Sequence, residues 1–319
     1  FNSDAFWDYW QQMALPASYE QSVILHETRF TPYFAAKGYI WDTYVNTDDL
    51  CGVFVNPIMA CPAELLQKRD CPFFKRRSLF TPYADELRRT DGRAAGELYC
   101  YVKAHTEFPI DLLLASLLQT QPMAALAKNL HWNYMMAEPS AEAPDLAALG
   151  LRLLRYTLPA ADPVTDWYNK KASADADALL GRAAQLFKKK PLLGVLSPAL
   201  PLWQGCAAAR RTQWQRDAGT LAEKAAVPVG SDPLPAPNCG WLLVREASFL
   251  DGIPPCTTQR DAWQLALTAQ AAGYYAATFE TAAQAAARAD VLDVYEADAA
   301  RPAAVAKQLG RLIKHKLQK

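Results

Sequence analysis

The first residue placed to do chemistry is a glutamate. Ser18 followed by Tyr19 to Thr31 reads as a capped helix, and a turn of about 100° per residue puts Val23, Glu27, Phe30 and Phe34 in one sector. Glu27 is therefore predicted to face the apolar side. A carboxylate there must be paired, hydrogen-bonded or raised in pKa, since an isolated buried charge is too costly. It could then serve as a general base or grip a hydroxyl. An ion pair with a basic residue such as Arg76 or Arg77 would satisfy the same demand. His26 lies about 100° around the same helix, so the two neighbours need not act together.

A second group is cationic. Lys75, Arg76 and Arg77 follow Cys71-Pro-Phe-Phe, setting three charges beside an apolar anchor, an arrangement suited to diphosphate or carboxylate. A solvated basic turn has the same sequence. Cys51, Cys61 and Cys71 recur every ten residues without a Cys-x-x-Cys pair or a nearby histidine, so they do not read as a zinc site. No His-x-x-x-His pair, nucleophile elbow or phosphate-binding glycine loop occurs. Asp175 and Asp177 have the Asp-x-Asp spacing that holds a metal on a diphosphate, but their alanine-rich context favours the first turn of a helix. No metal ligand is assigned. Residues 308–319 interleave Leu309, Leu312, Ile313 and Leu317 with Arg311, Lys314, Lys316 and Lys319, which suits a membrane-surface helix or a cationic helix end packed on a domain.

The elements that must position these groups form a mixed, helix-heavy α/β pattern. Pro32 is predicted to kink or end the first helix and Gly38 to let the chain turn. Tyr39 to Val45 reads as a strand, and Ala94 to His105 and Ile110 to Leu118 read as helices. Leu146 to Tyr156 looks helical. Further along, Leu192 to Leu196, Trp241 to Val244, Tyr274 to Phe279 and Val291 to Tyr295 are strand candidates with helical patterns around them, which predicts a layered α/β arrangement. Proline clusters mark a linker over 141–163 between modules at 1–140 and 164–319.

Composition narrows the function. Of 319 residues 51% are apolar, and 33 Lys+Arg balance 33 Asp+Glu, so the chain can build a core and lacks the basic excess of a nucleic-acid binder. Nucleic acid is not an expected partner. Apolar runs stop well short of the ~18 residues that suggest a membrane span. Seven scattered cysteines and no Asn-x-Ser/Thr acceptor fit reduced thiols in a cytoplasm. The start at Phe1, without Met or a signal segment, is what a piece of a longer protein would show.

An ordered set of phrases carries a resemblance: Ala5–Trp10 (AFWDYW), Ser18–Glu20, His26–Phe34 (HETRFTPYF), Gly38–Val45 (GYIWDTYV), Asn56-Pro57, Pro62–Leu66, Cys71–Arg77 and Asn129–Tyr134 (NLHWNY). Together they resemble the rhamnan synthesis protein F family. The resemblance implies a glycosyltransferase-A-like layered sheet with flanking helices. It also implies a part in rhamnan, capsule or lipopolysaccharide assembly on the cytoplasmic side, at the inner face of the membrane. The activity implied is transfer from a nucleotide sugar, with a divalent cation as the usual companion, to a glycan or lipid-linked acceptor. On that footing Glu27 and Asp42 are the candidate catalytic carboxylates, and His26, Arg76, Arg77, Lys170 and Lys171 the candidate substrate contacts.

The later module resembles the family more weakly, through Lys188–Pro198, Gly240–Ala247 and Ala269–Tyr275. Its phrase Tyr168–Ser173 (YNKKAS) has Asn169 where the family carries histidine, and Gln259–Gln264 lacks the expected His and Glu. This module is therefore expected to be a degenerate transferase. The alternative is a non-catalytic scaffold of the same assembly machinery.

Overall fold

Leu193–Pro198, buried along its whole length, is the central strand (β3) of a five-stranded sheet in the computed structural model. The structure describes residues 2–50, 56–81, 93–137, 144–155, 176–199, 204–235, 240–282, 284–286 and 289. The other strands are β1 (Tyr134–Met136), β2 (Leu151–Arg155), β4 (Trp241–Arg245) and β5 (Tyr275–Glu280), in the order β1-β5-β3-β4-β2. β1, β5 and β3 run parallel, while β4 is antiparallel to both β3 and β2. Continuous apolar runs therefore sit at the centre and half-exposed strands at the two edges, as burial on both faces requires.

Two compact units divide the chain. The first comprises Phe1–Val55 with Glu64–Phe73, and the second Asn56–Ala63 with Phe74–Lys319. In the second unit, helix Ala94–His105 buries Ala95, Leu98 and Val102, and helix Ile110–Thr120 buries Ile110, Leu114, Leu117 and Leu118. Those spacings place each set on one face of its helix. Helix Gln259–Ala271 starts with a capping box, Thr258 and Asp261 each binding the other's backbone N–H, and it packs on β3 and β5. It ends at Gly273, whose φ of +84° permits the turn in which Tyr274 N–H reaches the carbonyl of Ala269.

Two polar ties lock the helices to their neighbours. Gln270, fully buried, donates from Nε2 towards the carbonyls of Leu118, Gln121 and Pro228. Arg245, at the end of β4, donates to the carbonyls of Phe187, Lys190 and Leu193, closing the C-terminal end of helix Ala176–Lys189. Burial lowers the Arg245 pKa, and the guanidinium stacks over the Phe187 ring.

In the first unit, helix Asp4–Gln11 is capped by the Ser3 hydroxyl. A helical stretch then passes from Tyr19–Ser22 through a π turn at Val23–Glu27 into Thr28–Ala36. The expected cap at Ser18 is present, its hydroxyl accepting from Gln21 N–H at 3.2 Å. Pro32, expected to kink or end the helix, lies inside Thr28–Ala36, which runs past it. The end comes at Gly38, φ +82°, where Gly38 N–H binds the Ala35 carbonyl and Tyr39 N–H that of Phe34.

Two other expectations are corrected. Tyr39 to Val45 forms no strand, and Ile40 and Tyr44 stand in solvent. Aromatic and β-branched propensity does not make a strand without a neighbour to pair with. Of the helix expected over Leu146 to Tyr156, the described part, to Arg155, is not helical: a turn over 146–150 ends at Gly150, φ +62°, and Leu151–Arg155 pairs antiparallel with β4. Periodicity in so short an apolar run does not separate the two states. The helices at Ala94–His105 and Ile110–Thr120 and the strands at β3, β4 and β5 form as expected. Val291 to Tyr295 lies outside the described residues.

Candidate functional site

Three of the sequence-derived site residues lie in the first unit. Glu27 ends the π turn and is exposed, contrary to the apolar placement expected of it. The reason is helical register: a π turn holds more residues than an α turn, so the 100° spacing that grouped Glu27 with Val23 and Phe30 does not apply across it. His26 is half-buried, and its Nε2 donates to the Ala14 carbonyl at 2.8 Å, fastening the segment before Ser18 to the helix. Asp42 is exposed and accepts the Thr43 backbone N–H at 2.7 Å.

Arg76 and Arg77 belong to the second unit, on the 3-10 turn Arg76–Leu79. Leu79 and Ser78 anchor that turn in the core, and the two guanidinium groups are exposed. Lys170 and Lys171 lie outside the described residues, as do Asp175 and the basic stretch 308–319. The helix expected to open beside Asp177 is present as Ala176–Lys189. Cys61, Cys71, Cys100 and Cys256 are free thiols, and burial pushes the Cys256 thiol up to about 12, leaving it inert as a nucleophile. Among the described residues, no group of three or more His, Cys, Asp or Glu side chains converges to hold a metal.

The sequence did not point to a concave surface of the second unit that carries several polar side chains. A cavity of about 310 Å³ opens where β3 and β5 end and β1 begins. Its walls include Lys128, Asn133, Tyr134, Arg210, Asp232 and Thr278. The carboxyl ends of parallel strands are where open α/β sheets bind ligands. Each wall has a local cause. Thr278 pairs in register with Tyr134 on one side and with Ser197 on the other, so the β5 and β1 side chains share a face. The Thr278 hydroxyl donates to the Asn133 carbonyl at 3.0 Å, joining the chain before β1 to β5. Arg210, on helix Gln204–Ala225, donates to the Leu234 carbonyl at 2.9 Å, and Trp263 Nε1 binds the same oxygen from below at 3.1 Å. Asp232 turns towards Arg211, 3.8 Å away at the surface.

Beside the cavity residue Tyr134 lies the most deeply buried carboxylate among the described residues. Glu280, the last residue of β5, is 0% exposed and accepts a hydrogen bond from the Tyr134 phenol. The next residue, Thr281, caps the following helical turn, exchanging hydrogen bonds with Gln284. A carboxylate closing an apolar strand, followed by Thr-x-x-Gln, was visible at Phe279 to Gln284 and would have marked this junction.

Residues 1–148 match the family described as rhamnan synthesis protein F. No curated protein and no solved structure matches the chain. The match points to rhamnan polysaccharide synthesis. No helix among the described residues is long and apolar enough to cross a membrane.

Proposed function

We propose that this chain takes part in sugar transfer during assembly of a rhamnose-containing surface polysaccharide, as a glycosyltransferase-like protein. The donor is a nucleotide-activated sugar and the acceptor a glycan or a lipid-linked glycan. The observation that carries the reading is the family match over residues 1–148. The layered sheet with a cavity at the carboxyl ends of β3 and β5 supports it, because open α/β sheets receive their ligands there. The reaction belongs on the cytoplasmic side, where nucleotide sugars are made, and residues 308–319 supply a basic, amphipathic stretch for peripheral contact with the membrane. A divalent cation would arrive with the donor diphosphate. Among the described residues no cluster of His, Cys, Asp or Glu is present to hold it.

In this reading Glu27 is the base or hydroxyl acceptor and Asp42 the second carboxylate. Both are solvent-accessible, as groups that meet a substrate must be. His26 orients the helix end beside Glu27. Arg76 and Arg77 present two bidentate forks for a diphosphate, and Lys170 and Lys171 are further candidate contacts by residue type. The exposed aromatic rings of the first unit favour a second reading, a docking module that holds a partner transferase.

Thermal unfolding of the chain with nucleotide sugars, with and without a divalent cation, separates the two. Binding to the folded state stabilises it by about 2.7 kcal/mol at a ligand concentration of roughly 100 Kd. Saturable stabilisation by a nucleotide sugar is expected, and no response to any of them would favour the docking module. Glu27→Gln in the full-length protein should abolish transfer while leaving donor binding intact; unchanged turnover would remove Glu27 from the mechanism.

A further inference from the structure

The cavity at the ends of β3 and β5 has a lining more specific than a general donor site requires. Its cationic walls come from two separate elements. Lys128 projects from the last turn of helix Met123–Asn129, and Arg210 from helix Gln204–Ala225, whose side chain is tethered by the Leu234 carbonyl. One acid, Asp232, is also in the lining and lies 3.8 Å from Arg211 at the surface. The same lining carries groups that handle hydroxyls. Thr278 spends its proton on the Asn133 carbonyl and presents its oxygen as an acceptor, and the Asn133 amide offers two donors and an acceptor. The Tyr134 ring forms a flat wall, fixed at its far end by Glu280.

We propose that this cavity binds a monosaccharide bearing a phosphate, with Lys128 and Arg210 on the phosphate and Thr278, Asn133 and the Tyr134 ring on the sugar. Three observations converge on that class. Two cations from different helices suit a phosphate, which accepts charge-assisted bonds from several directions. Hydroxyl-handling groups, Thr278, Asn133 and Tyr134, share the lining with apolar side chains such as Ala199, Pro233 and Leu234, a mixture that suits the polar edges and apolar faces of a sugar ring. The volume, about 310 Å³, is at the low end of small-molecule sites, which run from roughly 300 to 1,000 Å³, and so suits a sugar phosphate better than a whole nucleotide sugar. The phosphate can belong to a free sugar phosphate or to the linkage of a lipid-borne sugar, and both share the monosaccharide-phosphate chemistry recognised here. The choice of ligand rests on the sugar-transfer reading above.

The test is calorimetric titration of the whole chain with rhamnose 1-phosphate, rhamnose and inorganic phosphate, and with a short-chain prenyl phosphate-linked rhamnose to represent the lipid form. Rhamnose 1-phosphate should bind saturably, about tenfold or more tighter than either half alone, because a charge-assisted hydrogen bond is worth roughly 1.5–3 kcal/mol. Lys128→Ala should weaken it by about tenfold and Lys128→Glu should abolish it. Lys128 is exposed, so both variants retain the fold, which a melting curve verifies. Tighter binding of the prenyl-linked form would support the proposal and identify the lipid-borne source; tighter binding of the free form would support it and identify the soluble source. No saturable binding of either, equal binding of inorganic phosphate alone, or full affinity in Lys128→Glu would overturn it. Stabilisation by a nucleotide sugar that persists in Lys128→Glu would leave the sugar-transfer reading standing while removing this cavity from it.

Discussion

The two units of this chain are built on different principles. The second buries a continuous interior, including Trp214, Trp241, Trp263, Tyr275 and Phe279, with polar ties such as Gln270 and Arg245 reaching across it. In the first, Leu65 and Cys71 are the buried residues among those described, and Phe6, Tyr9, Trp10, Phe30 and Phe34 meet in a half-open aromatic cluster with ring centres 4.9 to 6.3 Å apart. The phrases most recognisable in the sequence, around Trp7, Trp10 and Trp41, belong to the unit with the least core. Trp7 and Trp41 keep more than half of their surface exposed, so packing within their own unit accounts for little of them. Exposed aromatic side chains that gather into a patch mark interaction sites.

Breaking the packed unit should have the largest effect. Trp263 is 0% exposed, lies edge-on to Trp214 at 5.3 Å and holds the Leu234 carbonyl. Trp263→Ala should cost about 3–5 kcal/mol in chemical denaturation. It should also loosen the cavity wall, since Arg210 binds the same oxygen.

Next comes Gln270. Replacing it by leucine keeps the volume but leaves the carbonyls of Leu118, Gln121 and Pro228 without their shared donor. The expected loss is about 1–3 kcal/mol, measured as a lower denaturation midpoint with an unchanged slope. A neutral result would mean that water satisfies those oxygens and that the tie is not what joins helix Gln259–Ala271 to its neighbours.

How far this architecture could be read in advance depended on local signals. β3, β4 and β5 were legible because buried central strands are continuous apolar runs, and helix Ile110–Thr120 because its leucines recur at helical spacing. β2 was missed because Leu151–Arg155 is too short to show its period, and its identity is decided by pairing with Trp241–Arg245 far along the chain. Tyr39 to Val45 had strand chemistry and no partner. Glu27 was misplaced by a π turn, which leaves no trace in a periodicity count. The cavity was illegible for a different reason: Lys128, Arg210 and Thr278 lie 150 positions apart at most and share no motif, so only the fold assembles them.

A smaller effect, with a defined pH dependence, is expected at the capping box. Burial pushes the Asp261 carboxyl up, but hydrogen bonds from the Thr257 and Thr258 backbone and hydroxyl groups outweigh it and hold the pKa below its ordinary value. A depressed folded pKa contributes stability that is present above the unfolded value, roughly 3.9, and is lost as pH falls through the folded one. Asp261→Ala should therefore cost about 0.5–2 kcal/mol near neutrality. The gap from the parent should narrow as the pH falls below about 4, as the carboxylate that made the difference becomes protonated.

The smallest effect is expected at Trp41, and it bears most directly on the contrast between the units. Its side chain is 59% exposed and sits in a stretch without regular structure. A surface substitution away from caps, cores and networks changes stability by less than about 0.5 kcal/mol. Trp41→Ala should therefore leave the denaturation midpoint where it is, even though it deletes one of the largest side chains in the family's phrases. If the same substitution lowers polysaccharide assembly in the full-length protein, the tryptophan is kept for what it touches outside its unit. A loss of stability approaching that of Trp263→Ala would instead show that the aromatic face is an interior surface in the working protein.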